Sequence, residues 1–303
     1  MSRVLIVGSA NVDYTVALPR LPEPGETVSD GTLLVNHGGK GANQAVAARR
    51  LGADVRLIAC VGDDAAGRDV RSALASEGIG VDGMVSTTAA ATGTALVSVD
   101  TRGRNQVSVA PGANRTLSVE QVQARMEDFA WAQVIICQLE TPLATVRWAL
   151  GEARRRGVIA IVNPAPVPAT PLDFFSLVDY LTPNAGEAAR LSGAAANDAA
   201  LAAERLVSRG VRTVVVTLGD SGALAWHEGR GLRVPGFAVN AVDTTAAGDA
   251  FNGALAVAVA ESRALHESVR FANAAGALAC TRRGAQPSLP FRGDVEALLR
   301  TRA

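Results

Sequence analysis

The sequence predicts an α/β fold with a mostly parallel central sheet. Short apolar runs rich in Val, Ile and Leu alternate along the chain with longer segments whose apolar residues recur every three or four positions. Strands that alternate with helices in this way are typical of parallel sheets covered by helices. With 303 residues, of which 48% are hydrophobic, the chain can bury the core of one large domain with a small appendage.

The strands are predicted at the apolar runs, and the helices at the segments of helical spacing between and after them. In chain order, the predicted strands are 4–8, 55–61, 134–139, 158–163, 180–182 and 214–218. The predicted helices are 42–51, 67–77, 119–129, 143–156, 187–191, 199–208, 248–262 and 265–281. The first of these helices closes on Gly52, a common signal for a helix C-terminus.

Two segments do not follow this alternation. Residues 11–35 and 92–109 alternate apolar and polar side chains without helical spacing, and Asp-Thr-Arg-Gly at 100–103 is typical of a hairpin turn. The periodicity therefore predicts antiparallel strands that lie outside the main sheet.

The segment 242–253 places a carboxylate beside nearly bare backbone. Ala246, Ala247 and Gly248 have almost no side chain to obstruct their N–H groups, and the apolar run after them predicts a buried helix that begins near Gly248. Such a helix start attracts anions, because its N–H groups are unpaired and it is the positive end of the macrodipole. A phosphate would repel Asp249, so its presence points to a general base that takes the proton from an attacking hydroxyl. The alternative is an ordinary first-turn aspartate.

A second signature lies at 38–45, where glycines and one cation come immediately before a helical pattern. Glycines in this position let the backbone approach a ligand closely. Lys40 is the only lysine of the chain, and all its other Lys-or-Arg positions are arginine. Either the ammonium group has a function or its survival is chance.

Composition indicates a soluble enzyme. The 29 basic and 29 acidic residues balance, and the pI is about 6.8, so no basic surface argues for a nucleic acid or a membrane partner. We expect a cytoplasmic location, because no signal peptide precedes the first strand and no apolar run of about 18 residues occurs. Cys60, Cys137 and Cys280 are scattered among apolar residues, which favours buried free thiols.

Two glycine-rich motifs fail their context tests. Residues 78–83 fit G-x-G-x-x-G but lead into no helix, so we expect a turn there. Lys40 is followed by Gly41 in place of Ser or Thr, which excludes a P-loop. The three histidines share no spacing typical of a metal or nucleophile site, although His37 borders the 38–45 loop and could line it.

Almost from end to end, the chain resembles the PfkB (ribokinase-like) family of carbohydrate kinases. The segments that carry the resemblance are 8–13, 24–27, 38–45, 138–140, 163–166, 182–187, 217–219, 242–253 and 283–288. The resemblance implies a three-layer ribokinase-like fold, in which residues 1–303 form one kinase domain with a small β-sheet lid at approximately 11–37 and 92–112. It also implies that the lid closes over a sugar and pairs with its twin in a homodimer.

By the same resemblance, the chain phosphorylates D-ribose at its 5-hydroxyl with ATP. The alternatives are a kinase for another small sugar (deoxyribose, fructose or 2-keto-3-deoxygluconate), a ribonucleoside kinase, or a non-catalytic sugar sensor. The implied sugar-binding positions are Asn11, Asp13, Gly39, Lys40, Asn43, Glu140 and Asp249. Without the resemblance, Asn11 and Asp13 would be interpreted as turn residues and Glu140 as part of a helix N-terminus.

The lid sequence favours a free pentose. The segment 92–114 contains no aromatic residue and the first lid segment only Tyr14, so a platform on which a nucleobase could stack is hard to build. A sugar phosphate would need extra cations for its distal phosphate. Arg102 and Arg104 are the lid candidates, and their place beside a hairpin turn predicts that they are exposed to solvent.

The resemblance also implies nucleotide and cation sites. The implied ATP contacts are Asn184, Thr217, Leu218, Gly219, Gly222, Gly248 and Asn273. Asn184 and Glu187 form the family's Asn-x-x-Glu element, which organises Mg²⁺ through water; the alternative for Glu187 is a first-turn helix carboxylate. The implied potassium ligands are backbone oxygens and one hydroxyl, from Asp243, Thr245, Ala279, Arg282, Gly284 and Ser288. The alternative there is a loop that Gly284 and Pro287 merely shape.

Overall fold

The structure, a computed structural model, describes residues 1–102 and 104–301. Its strands are β1 (Arg3–Val7), β2 (Asn11–Leu18), β3 (Thr32–Gly38), β4 (Asp54–Gly62), β5 (Met84–Thr87), β6 (Gly93–Asp100), β7 (Asn105–Ala110), β8 (Val134–Cys137), β9 (Ile159–Val162), β10 (Tyr180–Leu181), β11 (Thr213–Thr217), β12 (Ala223–His227) and β13 (Arg230–Val234). Its helices are α1 (Lys40–Arg50), α2 (Ala65–Ser76), α3 (Val119–Gln123), α4 (Met126–Trp131), α5 (Leu143–Arg156), α6 (Ala185–Ser192), α7 (Ala199–Ser208), α8 (Ala247–Ala260), α9 (Leu265–Ala279) and α10 (Arg292–Arg300).

The α/β prediction is confirmed. In the described part of the chain, nine strands form the main sheet in the order β13-β12-β11-β10-β9-β8-β1-β4-β5. The pairs from β11 to β5 are parallel, whereas β12 and β13 pair in antiparallel fashion at one edge. The carboxyl ends of the parallel strands therefore share one edge of the sheet, the edge at which open α/β sheets bind ligands.

Helices cover both faces of this sheet. Along β1, Val4 and Ile6 belong to one hydrophobic core, and Leu5 and Val7 belong to the other, because successive strand side chains point to opposite faces. The first core contains residues of α1, α8, α9 and α10, and the second contains residues of α3, α4, α5 and α7. The result is the expected three-layer arrangement.

A second, smaller sheet lies outside the main one, with β3, β2, β6 and β7 as its described strands in that order. The prediction of antiparallel strands is confirmed for β2 with β3 and for β6 with β7. It is wrong for β2 and β6, which pair in parallel, with Asn11 opposite Gly93 and Leu18 opposite Asp100. The physical reason is connectivity, since β2 and β6 follow the main-sheet strands β1 and β5, which point the same way. The predicted turn between β6 and β7 includes Gly103, which lies outside the described residues.

Several elements differ from the sequence prediction. The predicted helix 119–129 is divided into α3 and α4, because the backbone of Arg125 leaves the helical region (φ −114°, ψ 33°) and its guanidinium binds Asp128. Strands β5, β12 and β13 and helix α10 were not predicted. The 78–83 segment is a turn, as expected, and its Gly80 bridges Arg56 beside β4.

Close packing of two helices determines where the functional residues meet. A Cβ on Gly253 of α8 would lie 2.6 Å from the Cβ of Ala47 and 2.9 Å from the backbone nitrogen of Ala48, both on α1. Small residues on both helices therefore let their backbones approach each other. Within residues 1–102 and 104–301, no helix is both long and apolar enough to cross a membrane.

Candidate active site

The N-terminus of α8 carries the predicted anion site. The residue before the helix, Ala246, has a left-handed backbone (φ 59°, ψ 9°), which is uncommon for a residue with a Cβ and marks stored strain of roughly 1 kcal/mol or more. Apart from its two chain neighbours and the backbone of its own helix, no described atom lies within 4 Å of the position that a Cβ on Gly248 would occupy. The N–H of Ala247 makes a long hydrogen bond to the carbonyl of Thr244 (3.3 Å), and the next residue, Gly248, is exposed, so an anion can reach the start of α8 there.

Asp249 lies in the first turn of α8 and is 6% exposed. Its Oδ2 accepts a hydrogen bond from Asn43 Nδ2 (2.9 Å), and its Oδ1 accepts one from Gln44 Nε2 (2.9 Å). Burial raises the pKa of Asp249, and Glu140 adds to the rise, whereas Lys40 and the two amide donors lower it. A carboxylate with an upward-shifted pKa and fixed orientation is suited to accept a proton.

The loop before α1 holds the second group of predicted residues. Gly39 has φ 86°, and a Cβ there would lie 2.8 Å from Ala10 Cα, so only glycine fits without displacement of backbone. Glu140 Oε2 accepts hydrogen bonds from the Lys40 N–H (3.1 Å) and the Ser9 hydroxyl. The carboxylate of Glu140 therefore holds the N-terminus of α1, and the proposed N-terminal role for it in α5 is not observed, because α5 begins at Leu143 with Pro142 before it.

Lys40 lies among carboxylates. Burial opposes its positive charge, but Asp249, Glu140 and Glu187 together raise the pKa of Lys40 above its ordinary value. Lys40 therefore stays protonated at neutral pH. Glu187, a predicted magnesium residue, is therefore close enough to interact electrostatically with Lys40 in the loop before α1.

Asn11 and Asp13 lie on β2, so they are not turn residues. Asn11 Oδ1 accepts a hydrogen bond from Asn114 Nδ2 (2.7 Å), and Asn114 Oδ1 accepts one from the N–H of Ala10 (2.9 Å). Burial raises the pKa of Asp13 to about 6, and the negative charges of Glu140 and Asp249 contribute to the rise. Asp13, Glu140 and Asp249 thus share one pocket.

Two buried acceptors of this pocket have no partner. In the described residues, Asp13 Oδ1 and Asn43 Oδ1 are among the few buried side-chain atoms that make no hydrogen bond. Unpaired buried polar atoms are costly, typically by about 1–3 kcal/mol each. A ligand with several hydroxyl groups would supply the missing donors.

A cleft of about 560 Å³ opens near the carboxyl ends of β10 and β11. It is lined by Asn184, Thr217, Leu218 and Gly219, four of the predicted ATP contacts, and also by Arg233 of β13. The other three predicted contacts, Gly222, Gly248 and Asn273, are outside this lining. Gly222 (φ 88°) packs on the backbone at 234–236, and Asn273 donates to the carbonyls of Val234 (3.0 Å) and Pro235 (3.1 Å).

The predicted magnesium pair caps a helix. Asn184 Oδ1 accepts from the N–H of Glu187 (2.9 Å), and Glu187 Oε2 accepts from the N–H of Asn184 (2.9 Å), a reciprocal capping box for α6. The first-turn role offered as the alternative is therefore real. Glu187 Oε1 lies outside the capping box, so the pair fits a hydrated cation through that oxygen.

A hydrogen bond joins the two loops of the predicted potassium site. Asp243 Oδ2 accepts from the N–H of Gly284 (2.9 Å), and its Oδ1 accepts from the N–H of Thr245 (2.9 Å). Burial opposes ionisation, but these donors and the Thr245 hydroxyl lower the pKa of Asp243 below its ordinary value. Ser288 is buried and donates to Ala285 O (2.8 Å). An oxygen-rich, negatively charged junction of two loops fits a hard cation.

Some residues in the site were not predicted as functional. Gln44 and Asn114 support predicted residues through hydrogen bonds. The only sequence signal for Gln44 was its position within the 38–45 motif. Asn114 was visible in the sequence only as part of an Asn-x-Thr pattern. His37 binds Asp69 of α2 (2.8 Å), which accounts for its side chain without a sugar. Arg104 is exposed, as expected from its position, and it pairs with Asp100.

Comparisons with known proteins agree with this geometry. The pfkB family of carbohydrate kinases matches residues 1–292. A ribokinase of Haemophilus influenzae is 39% identical over 292 residues, which cover 95% of this chain and 95% of that protein. The crystal structure of a ribokinase from Thermotoga maritima has a TM-score of 0.90 at 36% identity, and the match covers 99% of this chain and 100% of that one. An Arabidopsis thaliana ribokinase complexed with ribose and ATP has a TM-score of 0.90 at 32% identity, with 99% of both chains covered.

Proposed function

This chain belongs to the pfkB family of carbohydrate kinases, and we infer that it transfers the γ-phosphoryl group of ATP to the 5-hydroxyl of D-ribose. The observation that carries this conclusion is the position of Asp249. Its buried carboxylate lies behind an open helix N-terminus and beside two buried acceptors that lack donors. Such a site combines a base, an anion site and a pocket for hydroxyl groups.

In the proposed reaction, the sugar 5-hydroxyl gives its proton to Asp249 as its oxygen attacks the γ-phosphorus. The new bond joins that oxygen to phosphorus, the bond between phosphorus and the β,γ-bridging oxygen breaks, and ADP leaves with the electron pair. Asp249 Oδ2 is the accepting atom we propose, because Asn43, whose Oδ1 lacks a partner, holds it on the sugar side. The N–H groups at Ala246, Ala247 and Gly248 would stabilise the charge on the transferred group.

Hydroxyl recognition falls to the pocket around β2 and α1. Asp13 Oδ1 and Asn43 Oδ1 accept hydrogen bonds from sugar hydroxyls, and Asn11, Gly39, Lys40 and Glu140 complete the set we propose. A pocket built to satisfy several hydroxyls discriminates strongly against analogues that lack them, because its own buried groups are then left unpaired.

ATP would occupy the cleft beside β10 and β11, with its phosphates directed to the start of α8. Asn184, Thr217, Leu218 and Gly219 line that cleft. Gly222, Gly248 and Asn273 remain proposed contacts. When bound with ATP, Mg²⁺ would neutralise charge on the phosphates, and Asn184 and Glu187 would hold it through water.

We propose a potassium site at the junction of the two loops. Its ligands would be oxygens of Asp243, Thr245, Ala279, Arg282, Gly284 and Ser288. A cation bound there would orient the amides of residues 246–248 toward the phosphate without touching substrate. The hydrogen bond between Asp243 and the N–H of Gly284 supports the proposal, because it brings the two loops together.

Residues 1–303 would act as one kinase domain, with the small sheet, at approximately 11–37 and 92–112, as its lid. Large apolar side chains are exposed on that sheet, among them Leu34 (48%), Leu96 (57%) and Val107 (55%). Exposed apolar surface of this kind is typical of an interaction site, and we propose that two lids pair in a homodimer. Free cysteines and the need for ATP support a cytoplasmic location.

A coupled ADP-release assay tests the substrate assignment. It compares ribose with deoxyribose, fructose, 2-keto-3-deoxygluconate, adenosine and fructose 6-phosphate at saturating ATP. We expect the highest kcat/KM for ribose, because Tyr14 is the one Phe, Tyr or Trp side chain on the described lid strands and Arg104 is already paired with Asp100. A higher value for another acceptor would reject ribose as the substrate, and absence of ADP release with every acceptor would favour a sugar sensor.

A further inference from the structure

Beneath Asp249 lies a network of buried amide and hydroxyl side chains that no predicted contact includes. Each member is less than 10% exposed and is hydrogen-bonded to another member. The members are Gln44, Gln138, Asn163, Thr182 and Asn252. A buried polar network of this kind is expensive unless its members are satisfied, and when satisfied it rigidifies the core around it. Among the described atoms of this network, Gln138 Oε1 lacks a partner, and the other amide and hydroxyl groups are hydrogen-bonded.

Gln44 connects this network to the base. Its Nε2 donates to Asp249 Oδ1 (2.9 Å) and to Asn163 Oδ1 (3.2 Å). Its Oε1 accepts from Gln138 Nε2 (2.6 Å), which orients the amide so that its nitrogen, the donor, faces Asp249. Gln44 is 0% exposed, so it cannot reach the substrate itself.

The network also reaches the helix that carries the base. Asn163 Nδ2 donates to the carbonyl of Thr182 (3.3 Å), and the Thr182 hydroxyl donates to Asn252 Oδ1 (2.6 Å). Asn252 Nδ2 in turn donates to the carbonyl of Gly248 (2.8 Å). The path returns to the residue before Asp249 and connects α1, the residues that follow β9 and β10, and α8.

We propose that Gln44 is a positioning residue for the phosphoryl transfer: by donating to Oδ1, it holds the Asp249 carboxylate ionised, with Oδ2 directed at the sugar. The proposal rests on the proposed role of Asp249 as the base. Asn43 holds the other oxygen but faces the sugar pocket with an unpaired Oδ1, so its loss would disturb substrate binding as well. Gln44, in contrast, positions the base without facing the sugar pocket.

Loss of the Gln44 donor has a defined electrostatic consequence. The charged groups that share the pocket with Asp249 are Lys40 on α1, Glu140 after β8 and Asp13 on β2. These groups remain in a Gln44→Met variant, whereas a hydrogen bond to the ionised form of Asp249 is removed. The pKa of Asp249 then rises, and a larger fraction of the base is protonated at a given pH.

The test is the pH profile of kcat with ribose for wild type, Gln44→Met and Gln44→Glu, because kcat reports ionisation in the substrate complex. We expect Gln44→Met to move the acid limb of the profile up by about one pH unit and to lower kcat at pH 7 by roughly 10- to 100-fold. The KM for ribose should change by less than about threefold, since Gln44 does not contact the sugar. Gln44→Glu keeps the side-chain size and places a second carboxyl against Asp249, so it should move the limb further.

Thr145→Val is the matched control, because it removes a buried hydrogen bond of α5, to the carbonyl of Leu117, and α5 packs in the other core from α1 and α8. It should lower the melting temperature and leave the acid limb in place. An unmoved limb and near-wild-type kcat in a folded Gln44→Met or Gln44→Glu protein would overturn the proposal. Asp249→Asn in the same assay separates the two hypotheses: turnover that survives Asp249→Asn would refute the base itself, whereas its loss with an unmoved Gln44 limb refutes only the positioning role.

Discussion

Replacement of Asp249 by Asn tests the base most directly. The change keeps the size of the side chain and removes its ability to accept a proton. We expect kcat to fall by at least ~10²-fold, since general bases typically contribute about 10²- to 10⁴-fold to a rate. Ribose affinity should change much less, because the other hydroxyl-binding groups are untouched.

The structure also predicts the effect of this substitution on stability. Asn has one acceptor where Asp249 has two, so the amide of Asn43 or that of Gln44 loses its partner, at about 1.5–3 kcal/mol for a hydrogen bond to a charged group. In the opposite direction, the raised pKa of Asp249 means that its ionisation at neutral pH destabilises the fold, and this destabilisation is absent from the variant. The two effects oppose each other, so we expect the loss of stability to stay below the roughly 3 kcal/mol of the hydrogen bond, or about 5 °C in Tm for a chain of 303 residues.

The assay is coupled ADP release by protein free of host kinase, with ribose affinity from calorimetry and Tm from thermal unfolding. Asp294→Asn is the matched control, because Asp294 also lies in the first turn of a helix, α10, but is exposed. The control should keep wild-type turnover. Turnover within tenfold of wild type in folded Asp249→Asn protein would refute the reasoning, as would a loss of turnover that follows only from unfolding.

Three further outcomes are expected. Because the pKa of Asp13 in the protein without sugar is about 6, its carboxylate becomes protonated as the pH falls through 6. We therefore expect kcat/KM for ribose to drop at least about tenfold between pH 7 and pH 5, and to be low at every pH in Asp13→Asn. A flat wild-type profile would contradict the assignment. Turnover in potassium should exceed turnover in a large organic cation at equal ionic strength, and equal rates would remove the cation site. Sedimentation should show a dimer that a Leu34→Lys, Leu96→Lys double variant converts to monomer. The control Val242→Lys changes an apolar side chain that is 54% exposed but lies outside the lid, and it should leave the dimer intact. A monomeric wild type would reject the lid dimer.

Much of the fold and part of the site follow from local pattern. The apolar runs of β1, β4, β8, β9 and β11 and the spacing of α5 and α7 appear in the structure within one or two residues of the predicted bounds. The helix start at α8 is equally local, because small residues, an acidic first turn and an apolar run lie together in the chain. Such features depend on interactions between near neighbours, which the sequence displays directly.

The contacts that complete the site depend on distant parts of the chain meeting. Asn43 and Gln44 are 206 and 205 residues from Asp249, and they reach it only because α1 and α8 pack closely at Gly253. Asn114 supports Asn11 across 103 residues, and the parallel pairing of β2 with β6 depends on how both strands leave the main sheet. The amino-acid order therefore specifies which segments are helices, strands and anion-binding turns, whereas the orientation and ionisation of the base are decided by tertiary packing, because the partners that set them are neighbours in space alone.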